Sequence, residues 1–378
     1  MRVNSPVRRI NRFAAYGCAL LLAGLSALVD AQQLSLRYHA TTEGLGNLVV
    51  NVLSQEPGGA LWIGTEQGLY RHDGETIRRV EGGPEQDIHS MVFGADGTLW
   101  VGGEGGLFRR GTKGFVVAYA NEDATWSVNR GQMLAALPDG SVLVVGQEGK
   151  LWRVVPHGEE VHLVPALPAT LVPSEPHALD VHSILVARDG AWWFGCGDGL
   201  CRWYENRLER WGAVDGVPQA EWQGLLEAKD GSIWARSDRY VVRRAAGATQ
   251  FADVTPQGLR RGANGYWLPL TEDSAGRVLT PGDSGVFRWQ AGRWQHLGER
   301  NGLTEDGLRA ILPDRDGDIW LGTTGHGLAH WRGYDHWSSW TARQGLPSDV
   351  VWSIADDGEG RVWIGTAQGM VSTGFHRP

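Results

Sequence analysis

Gly317-Asp318-Ile319-Trp320-Leu321-Gly322-Thr323 decides the fold of this chain, because the phrase returns along its whole length. It reappears as Gly59-Ala60-Leu61-Trp62-Ile63-Gly64-Thr65, Gly97-Thr98-Leu99-Trp100-Val101-Gly102, Gly190-Ala191-Trp192-Trp193-Phe194-Gly195, Gly231-Ser232-Ile233-Trp234 and Gly360-Arg361-Val362-Trp363-Ile364-Gly365-Thr366. Two further copies carry leucine at the tryptophan position, at Leu143 and Leu279. Successive markers are 38 to 50 residues apart. Around each lie an apolar strand, a turn ending in glycine, the Trp strand, a Gly-Leu-aromatic strand such as Gly68-Leu69-Tyr70-Arg71, and a more variable fourth strand. Four short strands per repeat of this length make a propeller blade. Helical periodicity is missing, as 54 glycines in 378 residues would lead one to expect.

The expected fold is therefore all-β, a β-propeller of four-stranded blades with eight repeats. Eight copies are read as eight blades, with a seven-bladed ring plus one unit of a second ring as the alternative. Ring closure is expected from the strand-like segment Leu34-Ser35-Leu36-Arg37-Tyr38, filling the gap in the last copy, which stops after its third strand near Val371. Such pairing removes two exposed sheet edges.

Residues 1–31 read as a signal peptide. Four arginines precede an apolar run from Phe13 to Val29, with cleavage expected after Ala31. The run is short for a membrane span, an uncleaved anchor being the alternative. The propeller domain is then 32–378, and the location periplasmic or secreted. The full chain carries a net charge of −8, and losing the signal segment makes it more acidic. With no basic stripe, it is not expected to bind nucleic acid. Cys196 and Cys201 flank a turn on facing strands, a candidate disulfide in an oxidising compartment, against two packed thiols. Two thiolates make only half a zinc site, and no metal or cofactor is expected.

The recurrent tryptophans read as packing between blades rather than as sugar platforms. The Asp-Gly pairs read as hairpin turns, and Asp314-Arg315-Asp316-Gly317-Asp318 as a turn rather than a calcium loop.

The phrase Gly-Leu, followed by Asp-x-x-Gly-x-[Leu/Ile/Val]-Trp-[Ile/Val]-Gly-Thr-x-x-Gly-Leu, resembles the two-component regulator propeller repeat, best at Gly302 to Leu328 and Gly345 to Met370. The resemblance implies the periplasmic sensor region of hybrid histidine kinases or diguanylate cyclases. No kinase or cyclase motif follows Met370, so output is expected from a membrane-bound sensor kinase or cyclase on another chain, or from a further C-terminal region.

Catalytic signatures are missing: there is no G-x-S-x-G elbow, no H-E-x-x-H pair and no complete phosphate loop. The chain is read as a non-enzyme that binds a small molecule or glycan. A protein-protein scaffold is one alternative, a lyase-like or glycosidase-like propeller enzyme the other. The candidate ligand-binding residues lie eight positions before each turn glycine: His89, Gln132, His182, Gln223, Arg309 and Trp352, each with an apolar residue two positions later. Asp87, Asp180, Trp126, Trp222, His326 and Asp349 lie nearby. Polar groups converging on a channel mouth suit a small ligand. The bland alternative is a solvated rim.

Overall fold

The structure, a computed structural model, describes residues 34–120, 126–146, 149–158, 160–171, 178, 180–259, 267–282, 284–303, 307–334, 341–342, 345–358 and 361–374. The expected signal segment lies outside them. Strand β1 (Leu36–His39) precedes blade one, β2 to β5 (Val50–Gln55, Leu61–Thr65, Gly68–His72, Ile77–Arg79). Blade two is β6 to β9 (Ile88–Phe93, Leu99–Gly103, Gly106–Gly111, Gly114–Tyr119), and blade three β10 to β13 (Leu134–Ala136, Val142–Val145, Leu151–His157, Glu160–Pro165). Blade four is β14 to β17 (Val181–Val186, Trp192–Cys196, Gly199–Tyr204, Arg207–Trp211), and blade five β18 to β21 (Gly224–Glu227, Ile233–Arg236, Val241–Arg244, Ala252–Asp253). Blade six is β22 to β25 (Thr271–Glu272, Val278–Gly282, Gly285–Gln290, Arg293–Gly298), and blade seven contributes β26 to β28 (Leu308–Pro313, Ile319–Thr323, Leu328–Trp331). A last sheet holds β29 to β31 (Val351–Asp356, Arg361–Thr366, Gly369–Gly374).

Among the described residues seven sheets are four-stranded and the last is three-stranded. Blade seven obtains its fourth strand from β1, which runs antiparallel to β28 with Leu36 opposite Trp331 and His39 opposite Leu328. The ring closes within the seventh copy, which corrects two expectations. The amino-terminal strand fills the gap in copy seven rather than copy eight, and the seven-plus-one alternative holds instead of eight blades in one ring. The 32–378 segment correspondingly divides into two compact units, Leu34–Ser338 and a C-terminal unit carrying β29 to β31.

The joint between blades seven and one is built like the internal joints. The turn N–H groups of Arg188 and Lys229 donate to Glu227 and Glu272 of the following blade at 2.7 Å, and that of Arg315 donates to Gln55 at 2.9 Å. The glycine two residues after Trp62, Trp100, Trp193 and Trp320 marks where the chain of the next blade crosses, while Trp234 has Arg236 at that place. A Cβ on Gly64 would meet Ile88, on Gly102 Val128, on Gly195 Trp222 and on Gly322 Val50, all at 2.8 Å or less. On Gly365 it would meet only Ser353 of its own sheet. Glycine is required there because the neighbouring blade fills the space of a side chain, with its backbone carbonyl at Gly195 and Gly322 and with Ile88 and Val128 side chains at Gly64 and Gly102.

Apolar clusters bridge adjacent blades, one of them joining Trp320 and Leu328 to Leu45, Val50, Ile63 and Tyr70. Trp62, Trp100, Trp193, Trp234 and Trp320 are at most 5% exposed, so five of the markers are packing residues. Their cross-strand partners form a second pattern. Arg71, Arg109, Arg202 and Arg243 face Trp62, Trp100, Trp193 and Trp234, with guanidinium carbons 5.4 to 6.0 Å from the ring centroids. A cation over an indole face is attracted by its quadrupole. Arg153 and Arg288 face the two leucine markers, and His330 faces Trp320. The Asp314 carboxylate accepts the N–H groups of Asp316 and Asp318 and the Trp320 indole N–H, the turn chemistry expected of that segment. Cys196 and Cys201 are joined across the β15–β16 hairpin.

Candidate functional site

The first residues of five of the inner strands carry a recurring irregularity. On β6, Ile88 faces Gly103 and Ser90 faces Gly102, so His89 has no cross-strand partner. Asn51 on β2, His182 on β14, Arg309 on β26 and Trp352 on β29 are skipped in the same way. These are β-bulges, which re-aim a side chain away from the ladder. Of the polar register read from the sequence, His89, His182, Arg309 and Trp352 are bulged residues, the first three in the ring, and Asn51 adds a fourth bulge there.

Around the axis a pocket of about 160 Å³ is lined by Asn51, His89, Gln132, Gln223, Trp267 and Arg309, over a floor that includes Leu53, Met91, Leu134, Leu270 and Ile311. Asp87 organises one wall: its carboxylate accepts from Asn51 Nδ2 at 2.7 Å and from Arg130 Nη2 at 3.2 Å. His89 Nε2 lies 3.2 Å from Asp87 Oδ2, at an angle outside hydrogen bonding, and Nδ1 is 2.6 Å from the Val128 carbonyl, which fixes the ring. Arg309 donates to Asn51 Oδ1 at 2.7 Å and to Glu66 at 2.8 Å. Its guanidinium carbon sits 4.4 Å from the Trp267 ring centroid, and that of Arg130 sits 5.5 Å from it. Gln132 Oε1 accepts the N–H of Leu225 in blade five at 2.8 Å.

Four buried atoms of this wall have no hydrogen-bond partner among the described residues: Trp267 Nε1, Arg309 Nε, Gln223 Oε1 and His89 Nε2. His89, Gln223 and Trp267 are at most 6% exposed. A buried polar atom without a partner costs about 1–3 kcal/mol, and such atoms mark places where structure is held for something other than stability. Two donors, an acceptor and an imidazole nitrogen over an apolar floor form a hydrogen-bonding cradle. Asp87, His89 and Glu104 bring donor atoms within 4.8 Å of one another, but Asn51 and Arg130 already engage Asp87.

Of the six sequence candidates, His89, Gln132, Gln223 and Arg309 meet in this pocket. His182 does not line it, its Nε2 standing 3.5 Å from Asp180. Trp352 is 75% exposed and belongs to the C-terminal unit, as does Asp349. Trp222 is wholly buried, His326 packs edge-on to Tyr38 and Trp126 to Tyr119, so none of the three is a pocket residue. Asn51 was missed although it lies eight positions before Gly59, where the same count finds it. Trp267 was missed because the count in blade six lands on Leu268.

The two component regulator propeller family model matches residues 302–325 and 345–368. No curated protein sequence matches the chain. Among solved structures, the extracellular domain of a hybrid two component system from B. thetaiotaomicron superposes with a TM-score of 0.66 at 17% identity, over 90% of this chain and 48% of that one. A second such domain from the same organism gives 0.62 at 19%, over 91% and 46%. The virginiamycin B lyase of Staphylococcus aureus gives 0.58 at 13%, over 79% and 98%. At these identities the shared property is the fold, and the chain spans about half the length of the two extracellular domains. The chain carries two component regulator propeller repeats, on a β-propeller fold that it shares with the extracellular domains of hybrid two component systems.

Proposed function

We propose that this propeller is the periplasmic ligand-sensing domain of a two-component-type system, taking a small molecule or the end of a glycan into the axial pocket without transforming it. The observation that carries the reading is the set of unpartnered buried atoms on Trp267, Arg309, Gln223 and His89, gathered on bulged or neighbouring positions around one pocket. A ligand with oxygen acceptors for the two N–H donors and a hydroxyl or amine for Gln223 Oε1 satisfies them together. The Cys196–Cys201 bond fits an oxidising compartment, and the repeats are the kind found on extracellular sensor regions. Output passes to a membrane-bound kinase or cyclase outside residues 34–374.

The test is a thermal-shift screen of the chain from Gln32 onward against oligosaccharides, small acids and divalent metals, since a ligand that binds only the folded ring raises its melting temperature. The expected result is a shift with an organic ligand that disappears in Trp267→Phe plus Arg309→Lys, a pair that keeps the ring and the charge while removing the two donors. A cooperatively folded protein that responds to nothing overturns the reading in favour of a protein scaffold. The Asp87, His89 and Glu104 grouping favours one second reading, a metal-dependent lyase-like enzyme. A shift with a divalent metal alone, lost in His89→Gln, would support it.

A further inference from the structure

The joint where the ring closes differs chemically from the rest. In blades one to six the residue opposite the marker is an arginine, a cation at every ordinary pH, whereas in blade seven it is His330. His330 stacks on Trp320 with centroids 3.7 Å apart and planes 8° from parallel. Two more histidines close on the same indole: His39 of the closing strand β1, at 5.8 Å, and His72 of blade one, at 5.3 Å. His39 and His72 are 5.7 Å apart, and His39 and His330 6.4 Å. The three come from three strands, β1, β4 and β28, that meet only because the ring is closed.

We propose that this joint is an acid-sensitive latch, in which neutral His39 and His72 hold β1 on blade seven and their protonation releases it. His39 is 6% exposed, and its Nε2 is buried without a partner. A proton there would place a bare charge between two other imidazoles. His72 is 8% exposed and its Nδ1 accepts the Gly74 N–H at 3.2 Å, a bond lost if that nitrogen is protonated. His330 is better placed for a charge than the other two, because its Nε2 lies 2.8 Å from Asp318 Oδ2 and its ring lies on an indole.

Burial, more than the surrounding charges, leaves the balance with the neutral forms. Burial, then His72, Arg37 and His330, hold His39 down to about 4, against the pull of Glu43. Burial lowers His72, opposed by Asp73 and assisted by His330 and Arg37. Burial also lowers His330, with Asp318 and Asp314 opposing and Arg332 assisting. A released strand titrates near 6.5, so it takes up protons that the latched state refuses. The latch is therefore firm above that value and weakens as pH falls from about 6.5 towards about 4. For His39 alone, linkage favours opening by up to about 30-fold at about pH 5 relative to about pH 7.5.

Hydrogen exchange of the Leu34–Pro378 chain at about pH 7.5 and about pH 5, corrected for intrinsic rates, reads this directly. Protection of the β1 and β28 amides is expected to drop by up to about 30-fold while β15 and β16 amides, in blade four, change little. The drop should shrink in His39→Phe and in His72→Gln, neither of which takes up the proton. An equal loss in both regions, no loss in either, or an undiminished differential loss in both variants overturns the latch. The wild-type differential stands as a test even if a variant fails to fold.

Discussion

Trp320 and Trp363 sit at the same place in two copies of one phrase, Gly-Asp-Ile-Trp-Leu-Gly-Thr and Gly-Arg-Val-Trp-Ile-Gly-Thr. Trp320 is 5% exposed and Trp363 is 38% exposed. Ile311 and Leu328 of blade seven are 6% and 0% exposed, while their counterparts Ile354 and Met370 are both 68% exposed. The two copies pair their inner, Trp and third strands in the same antiparallel order, with the same bulge at the start. What differs is outside the phrase. Copy seven receives β1 as a fourth strand and the inner strand of blade one against Gly322, and copy eight has, among the described residues, three strands with its own Ser353 against Gly365. A blade's sequence thus specifies a sheet, and adjacent blades supply most of its burial.

The comparison breaks most visibly at the closing strand. Removing residues 34–39 leaves β28 with an unpaired edge and uncovers Leu328, Ala329 and Trp331, so the cooperative thermal transition of the ring should be lost. A chain ended at Ser338, without copy eight, should keep it. Circular dichroism melts of the two truncations decide this, and a surviving transition in the first would show that β1 is dispensable.

A smaller effect sharpens it. Trp320→Ala should cost about 3–5 kcal/mol of ring stability, as deleting a buried indole does. Trp363→Ala should cost less than about 1 kcal/mol, since surface changes seldom exceed that. Urea unfolding of both variants measures the ratio, and equal costs would place copy eight in a packed setting. Smallest of all, Ile354→Lys and Met370→Lys should each stay within about 0.5 kcal/mol of the parent. A larger loss would show that the exposed face of copy eight is covered in solution.

Much of the fold was legible in residues. The marker tryptophans, the crossing glycines and the Asp-Gly turns each carry a local requirement: an indole between sheets, a neighbouring blade in the place of a Cβ, a hairpin. The site was legible as a count, and His89, Gln132, Gln223 and Arg309 followed from it; Asn51 obeys the same count and was overlooked. His182 obeys it too but turns aside to Asp180, and Trp267 lies one position off the register, because strand ends in different blades are placed by their own loops.

The sequence by itself determined the repeat, its four-stranded content and the polar register, since period-two patterning, glycine and turn residues act within a few neighbours. Only the tertiary structure decided which copy closes the ring. Strand edges pair through backbone N–H and C=O groups, which are the same in every repeat, so Leu36–His39 could not announce its partner. It also decided that Trp267 joins His89 and Arg309 across the axis, and that three histidines from β1, β4 and β28 surround Trp320. Those encounters depend on how far around the circle each blade sits, a distance no local pattern encodes.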